Sequence, residues 1–145
     1  MPIPLLVFAL LLNLQPTPAA VVKQFFDAYQ RLDVAGMTAV MAPGMVFDDP
    51  TFRLHAKSRD EWRKQAEANR LVITQITADI HSTVQAGDRV AVELTLSGGI
   101  KQKDGSVRNF KVRGASFFRV RNGLITHWTD YFDFRTFSEQ TRPGQ

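Results

Sequence analysis

The chain has 145 residues, 44% hydrophobic and 22% charged, with a formal net charge of +4, the profile of one globular domain able to bury a core. It contains no cysteine, which excludes disulfides, thiol nucleophiles and cysteine-ligated metals. The basic residues are scattered rather than striped or interleaved with aromatics, arguing against nucleic acid. His55, His81 and His127 show no metal-ligand spacing, so a metal site is not expected.

Residues 1–16 form an apolar leader. Leu5–Leu14 is interrupted only by Asn13, too short to span a bilayer but long enough for a signal-peptide core with a cleavage site at Thr17-Pro18-Ala19. No Lys or Arg precedes the run, and Thr17-Pro18 also reads as an N-cap followed by proline at the first helical position. The expectation is an uncleaved or mis-assigned leader on a cytoplasmic protein, with export of a cleaved form as the alternative.

From Pro18 to Arg31, Val21, Val22, Phe25, Phe26, Tyr29 and Leu32 recur at helical spacing. Asp33 caps a shorter helix over Val34–Met41, ended by Pro43-Gly44. Met45–Asp49 is a short strand stopped by Pro50. Ser58-Arg59-Asp60-Glu61 is a capping box that opens a helix to about Asn69. Strands follow over Leu71–Val84 and Arg89–Leu96, separated by the turn Ala86-Gly87-Asp88. A loop holding Gly98-Gly99 and Asp104-Gly105 leads to a strand over Phe110–Arg121. Asn122-Gly123 is the strongest short-range hairpin signal in the chain and makes Leu124–Asp133 the partner strand. The tail from Thr141 is expected to fray. Helices first and antiparallel strands afterwards indicate an α+β domain with helices on one sheet face.

Alternation along the last strand puts Thr126, Trp128, Asp130 and Phe132 on one side. A carboxylate between large aromatics has its pKa raised by desolvation and becomes an acid or base for neutral pH. The competing reading is a structural carboxylate that salt-bridges an arginine or marks a solvent face.

Helix, short helix, Met45-Val46-Phe47-Asp48-Asp49-Pro50, capping-box helix and long strands resemble the nuclear transport factor 2-like superfamily, including the SnoaL-like polyketide cyclases. The resemblance covers about Thr17 to Phe137 and carries the domain limits 17–137, with 138–145 as a tail. It implies a cone-shaped barrel, in which a strongly bent antiparallel sheet wraps the N-terminal helices around a deep apolar pocket, and a homodimer formed through the convex sheet face. The fold hosts both enzymes and binding modules.

The terminal stretch Trp128-Thr129-Asp130-Tyr131-Phe132-Asp133-Phe134-Arg135 is similar to the limonene epoxide hydrolases. This similarity implies water activation by Asp130, a pocket wall at Trp128, and help in holding the water at Asp49; the tyrosine that shares this task in those enzymes is replaced here by Phe47. Those enzymes also require an Arg-x-Asp pair, and Leu94 and Leu96 stand in its place. In ketosteroid isomerase the comparison puts the general base on Asp49 and the oxyanion donors on Phe25 and Ser116, so the phenol is lost and the acid becomes a hydroxyl. Both comparisons retain two carboxylates, Asp49 and Asp130, expected to face one pocket and to titrate as a pair. Tyr29, Phe25, Phe47, Phe118, Trp128 and Ser116 are the expected substrate contacts, with core packing as the rival reading for the aromatics. The leading expectation is a cofactor-independent isomerase, cyclase or hydrolase acting on a small hydrophobic molecule. The alternatives are an epoxide hydrolase with altered apparatus and a non-catalytic binding or dimerisation module.

Overall fold

The computed structural model describes residues 14–142. The leader up to residue 13 and residues 143–145 of the tail lie outside them.

Helix α1 spans Pro18–Gln30, with the Thr17 side chain accepting from the Ala20 N–H and proline at its start. It buries Val21, Val22, Phe25, Phe26 and Ala28. At its end the Leu32 N–H donates to Tyr29 O and the Asp33 N–H to Ala28 O, a Schellman arrangement that usually places glycine at the left-handed position. Here Leu32 occupies it, at φ 53°. Helix α2 spans Val34–Ala39, capped by Asp33. It stops before the expected Met41 because the Val40 carbonyl accepts from the Ile125 N–H at 2.8 Å, drawing the chain into the sheet.

Strand β1, Met41–Asp49, therefore starts before Pro43-Gly44 rather than after it. Its register slips between Met41 and Val46, a bulge that accommodates Pro43, which has no N–H to pair. Strand β2, Leu54–Ala56, is too short for a sequence signal and pairs antiparallel with β1. Helix α3, Arg59–Asn69, opens on the capping box: the Ser58 hydroxyl accepts from the Glu61 N–H, and the Glu61 carboxylate reaches back to the Lys57 N–H.

Strands β3 (Ile73–Ala86), β4 (Arg89–Lys101), β5 (Val107–Arg121) and β6 (Leu124–Phe132) complete the sheet. Gly98 and Gly99 lie inside β4, not in a loop. Phe110 of β5 pairs opposite Gly98 and its ring occupies the space a side chain would need, since a Cβ there would come within 3.0 Å of Phe110 Cζ. The Asn122-Gly123 turn has φ of 52° and 74° at its two residues, as the mirror-image two-residue hairpin requires. Asp133 does not extend β6; it caps helix α4, Phe134–Thr141. That helix carries ordered structure past the boundary at 137 and through Thr141, fastened by the Gln140 side-chain amide to the Lys111 backbone.

The sheet order is β2-β1-β6-β5-β4-β3. It is strongly curved but not closed, and every neighbouring pair is antiparallel except β1–β6, which is parallel. The core lies between α1 and the concave face, where Val90, Val92, Leu94, Phe118 and Val120 are buried. Among the described residues no helix is long and apolar enough to cross a membrane.

Candidate active site

Two strand ends set the site. On β6, pairing with β5 slips by one residue between Arg119–His127 and Val120–Ile125. Thr126 is the extra residue, and its hydroxyl turns to the Arg119 carbonyl. The bulge removes Thr126 from the face it was expected to share and turns Ile125 inward. Beyond it the alternation holds: Trp128 and Asp130 are buried, while His127 and Tyr131 are exposed. On β1, Phe47 pairs with Trp128 and Asp48 with Thr129. Continued by one residue, this register sets Asp49 beside Asp130 on neighbouring strands, about 4.8 Å apart by sheet spacing.

Asp49 and Asp130 are 3% and 6% exposed, and both line one cavity of about 300 Å³, the lower end of the range for small-molecule sites. The wall is apolar and aromatic, with Tyr29, Phe47, Phe52, Trp62, Phe110, Trp128, Phe132 and Phe137 all contributing. Phe132 reaches it by lying across Gly114, where a Cβ would come within 2.6 Å of Phe132 Cε1. Phe110 likewise lies over Gly98. Leu32 also lines the cavity, so the strained end of α1 presents a side chain to the site.

Oδ1 of Asp130 accepts from the Ser116 hydroxyl at 2.5 Å and from the Trp128 indole N–H at 2.6 Å. Ser116 stands directly opposite Asp130 in the β5–β6 ladder. Oδ2 has no hydrogen-bond partner among the described residues, and no ion pair there includes either carboxylate. The arginines that would have made Asp130 structural are engaged elsewhere: Arg113 with Glu93, Arg119 with Asp88 and Arg135 with Glu139. Burial raises the Asp130 pKa to about 7, against the lowering effect of Ser116 and Trp128; the Asp49 charge raises it further. Burial also raises Asp49, opposed mainly by the backbone N–H of Phe52, which donates to Asp49 Oδ1 at 3.0 Å. Tyr29 is pushed well above the ordinary tyrosine range by burial and by the charges of Asp130 and Asp49, so its hydroxyl remains a neutral donor beside both acids.

Four rings pack against Trp128. Its centroid lies 4.4 Å from Phe47, 4.7 Å from Phe25, 5.7 Å from Trp62 and 5.9 Å from Phe118, the last stacked. Of the expected substrate contacts, Tyr29, Phe47 and Trp128 border the cavity. Phe25, Phe118 and Ser116 do not: they form the layer behind it, packing Trp128 and orienting Asp130. Asp48 points outward toward His55, and neither residue borders the cavity. Both Leu94 and Leu96 are buried on the concave side of β4. The inward residues Val90, Val92, Leu94 and Leu96 are all apolar, so no shift of register supplies an acid or arginine there.

The sequence reading missed the α3 wall, Trp62, Gln65, Ala66 and Asn69. Its signal was present as i, i+3, i+4, i+7 spacing after the capping box. Gln65 donates through Nε2 to the His55 carbonyl at 2.6 Å, and its Oε1 is buried without a partner among the described residues.

The model of the SnoaL-like domain matches residues 22–128. The chain belongs to the SnoaL-like family. No curated protein matches it. Among solved structures, this SnoaL-like domain is similar to a candidate SnoaL-like polyketide cyclase from Shewanella putrefaciens, at TM-score 0.78 and 15% identity over 86% of this chain and 96% of the other. A protein with a ketosteroid isomerase-like fold from Catenulispora acidiphila, solved in complex with trimethylamine, matches at TM-score 0.77 and 22% identity over 86% and 94%. IdmH from Streptomyces antibioticus, a candidate polyketide cyclase, matches at TM-score 0.74 and 21% identity over 86% and 97%. At such identities these likenesses establish the fold of the SnoaL-like domain and leave its chemistry to its own residues.

Proposed function

We propose that this SnoaL-like domain is a cofactor-independent enzyme that performs carboxylate acid–base chemistry on a small hydrophobic molecule held in the apolar cavity. The observation that carries this reading is Asp130. One of its oxygens is fixed by Ser116 and Trp128, the other has no partner among the described residues, and its pKa of about 7 divides it between acid and base at neutral pH. In the step common to isomerisation and cyclisation, Asp130 Oδ2 takes a proton from carbon next to a substrate carbonyl. The electron pair moves to the carbonyl oxygen, where the Tyr29 hydroxyl donates a hydrogen bond to the developing charge. The proton returns from Asp130 to a different atom. Asp49, also raised, serves as the partner acid. The epoxide hydrolase reading gains no support, because β4 offers leucines where the arginine and second acid would stand.

Hydrogen–deuterium exchange and turnover of a panel of enolisable ketones test this directly. Asp130→Asn should lower the rate by about 100-fold or more, and the wild-type rate should rise through about pH 7, following the carboxylate. An unchanged rate in Asp130→Asn would rule the proposal out.

A second reading has its own observation. Phe117 and Tyr131 are 47% and 50% exposed on the convex sheet face, their rings 6.1 Å apart, a patch suited to covering by a second copy. Sedimentation of Phe117→Glu against wild type decides it: a dimer that dissociates supports this reading, and equal masses remove it.

A further inference from the structure

Buried carboxylates in proteins are normally paired with arginine or lysine, because an uncompensated ion in an apolar interior is costly. Here two of them, Asp49 and Asp130, line one cavity with no cationic partner among the described residues. Among the described residues the only basic one bordering that cavity is Arg70, exposed just past the end of α3. The rest of the lining is apolar, and several of its residues are aromatic. Phe47 and Trp62 flank Trp128 at 4.4 and 5.7 Å, tilted by 40° and 55°, and Tyr29 adds a fourth ring from α1. Ring faces attract cations, tryptophan most strongly, and the attraction grows as water is removed. The cavity thus combines carboxyl groups that lack a counter-ion among the described residues with aromatic rings able to attract a positive charge.

We infer that the cavity takes a small organic ammonium ion, a protonated tertiary amine with an apolar body. Its N–H points at Asp130 Oδ2, and its N-alkyl groups lie against Trp128, Trp62 and Phe47. Ser116 and the Trp128 indole already hold Oδ1, which leaves Oδ2 to meet the ligand. The inference shares the site of the proposed function but not its chemistry: it concerns what the cavity holds, whether or not the carboxylates turn it over.

The groups facing Asp130 set the pH dependence. They are Asp49 from β1, Tyr29 from α1, and Ser116 and Trp128 from the flanking strand positions, with Arg70 at the mouth. Tyr29 stays protonated throughout, so the pH dependence falls on the two acids, both raised by burial. Amine affinity should rise as they ionise and level off above about pH 7, below the amine's own pKa.

The test compares N,N-dimethylbenzylamine with isobutylbenzene, which replaces the N–H centre by C–H at nearly the same shape, using calorimetry and thermal shift on the whole chain. At about pH 8 the amine should bind at least about tenfold more tightly than the hydrocarbon, and its affinity should fall by at least about tenfold at about pH 5.5. Asp130→Asn should remove most of the amine's advantage while hydrocarbon binding persists, which also shows that the variant is folded. Equal affinity for the two compounds at pH 8, or an amine affinity indifferent to pH, would overturn the inference on wild-type protein alone. Loss of ketone turnover in Asp130→Asn without any amine preference would uphold the acid–base reading and reject this one.

Discussion

Asp130→Asn is the most informative single perturbation, because it separates the charge of the buried carboxyl from its shape. The asparagine carbonyl takes the place of Oδ1 and accepts from Ser116 and Trp128, while the amide nitrogen takes the place of Oδ2 at the cavity. What changes is the ability to ionise. In the folded protein the carboxyl is raised from 3.8 to about 7, so between those values folding takes up a proton and wild-type stability falls as pH rises. The stabilising contribution of the protonated group is complete below 3.8 and is lost as pH climbs through 7. At about 1.4 kcal/mol per tenfold change, the whole displacement is worth about 4 kcal/mol, of which about 3 kcal/mol falls between about pH 5 and about pH 8. Asparagine carries no such penalty. The difference in unfolding free energy, Asp130→Asn minus wild type, should therefore grow by about 3 kcal/mol in favour of the variant from about pH 5 to about pH 8. Urea denaturation across that range measures it, with the slope m as a check on two-state behaviour. A difference that stays flat with pH, or a variant that loses ground as pH rises, would refute the claim that Asp130 is buried without a counter-ion.

Other expectations follow from the same geometry. Ser116→Ala removes a donor that lowers the Asp130 pKa, so the carboxyl should titrate higher; an NMR titration in which its midpoint is unmoved would show that the 2.5 Å contact is energetically idle. Gly114→Ala must displace the Phe132 ring from the cavity wall, costing about 1–3 kcal/mol in a chemical denaturation series, and an unchanged midpoint would mean that the ring has room to yield. Thr17→Ala deletes the α1 cap and should cost about 1 kcal/mol, read as a lower melting temperature; no change would place the start of α1 outside the cooperative unit.

Local chemistry made much of this chain legible. Thr17-Pro18, Asp33 and Ser58 with Glu61 each name a helix start, because a side-chain oxygen three residues ahead of an orphan N–H satisfies it without help from the rest of the fold. Asn122-Gly123 names a hairpin because its residues tolerate positive φ, and the alternation that follows points Trp128 and Asp130 the same way. Where the reading failed, the deciding partner was distant in sequence. Gly98-Gly99 looks like a loop until Phe110 is seen lying over it, and Thr126 looks inward until pairing with β5 forces it into a bulge. Asp133 looks like strand until the chain turns and makes it a cap.

The candidate site divides along the same line. Composition and spacing by themselves determined the α+β class and marked Asp130 as a carboxylate among aromatics. They could not determine whether that carboxylate has a counter-ion, because every arginine able to pair with it is remote in sequence or on another face. Only the tertiary structure decided that Arg113, Arg119 and Arg135 are spent on Glu93, Asp88 and Glu139. It likewise decided that the parallel β1–β6 contact brings Asp49 level with Asp130, and that Phe25 and Phe118 stand behind Trp128 rather than at the cavity. Periodicity specifies which face a side chain takes; desolvation and pairing depend on what the rest of the chain brings to that face.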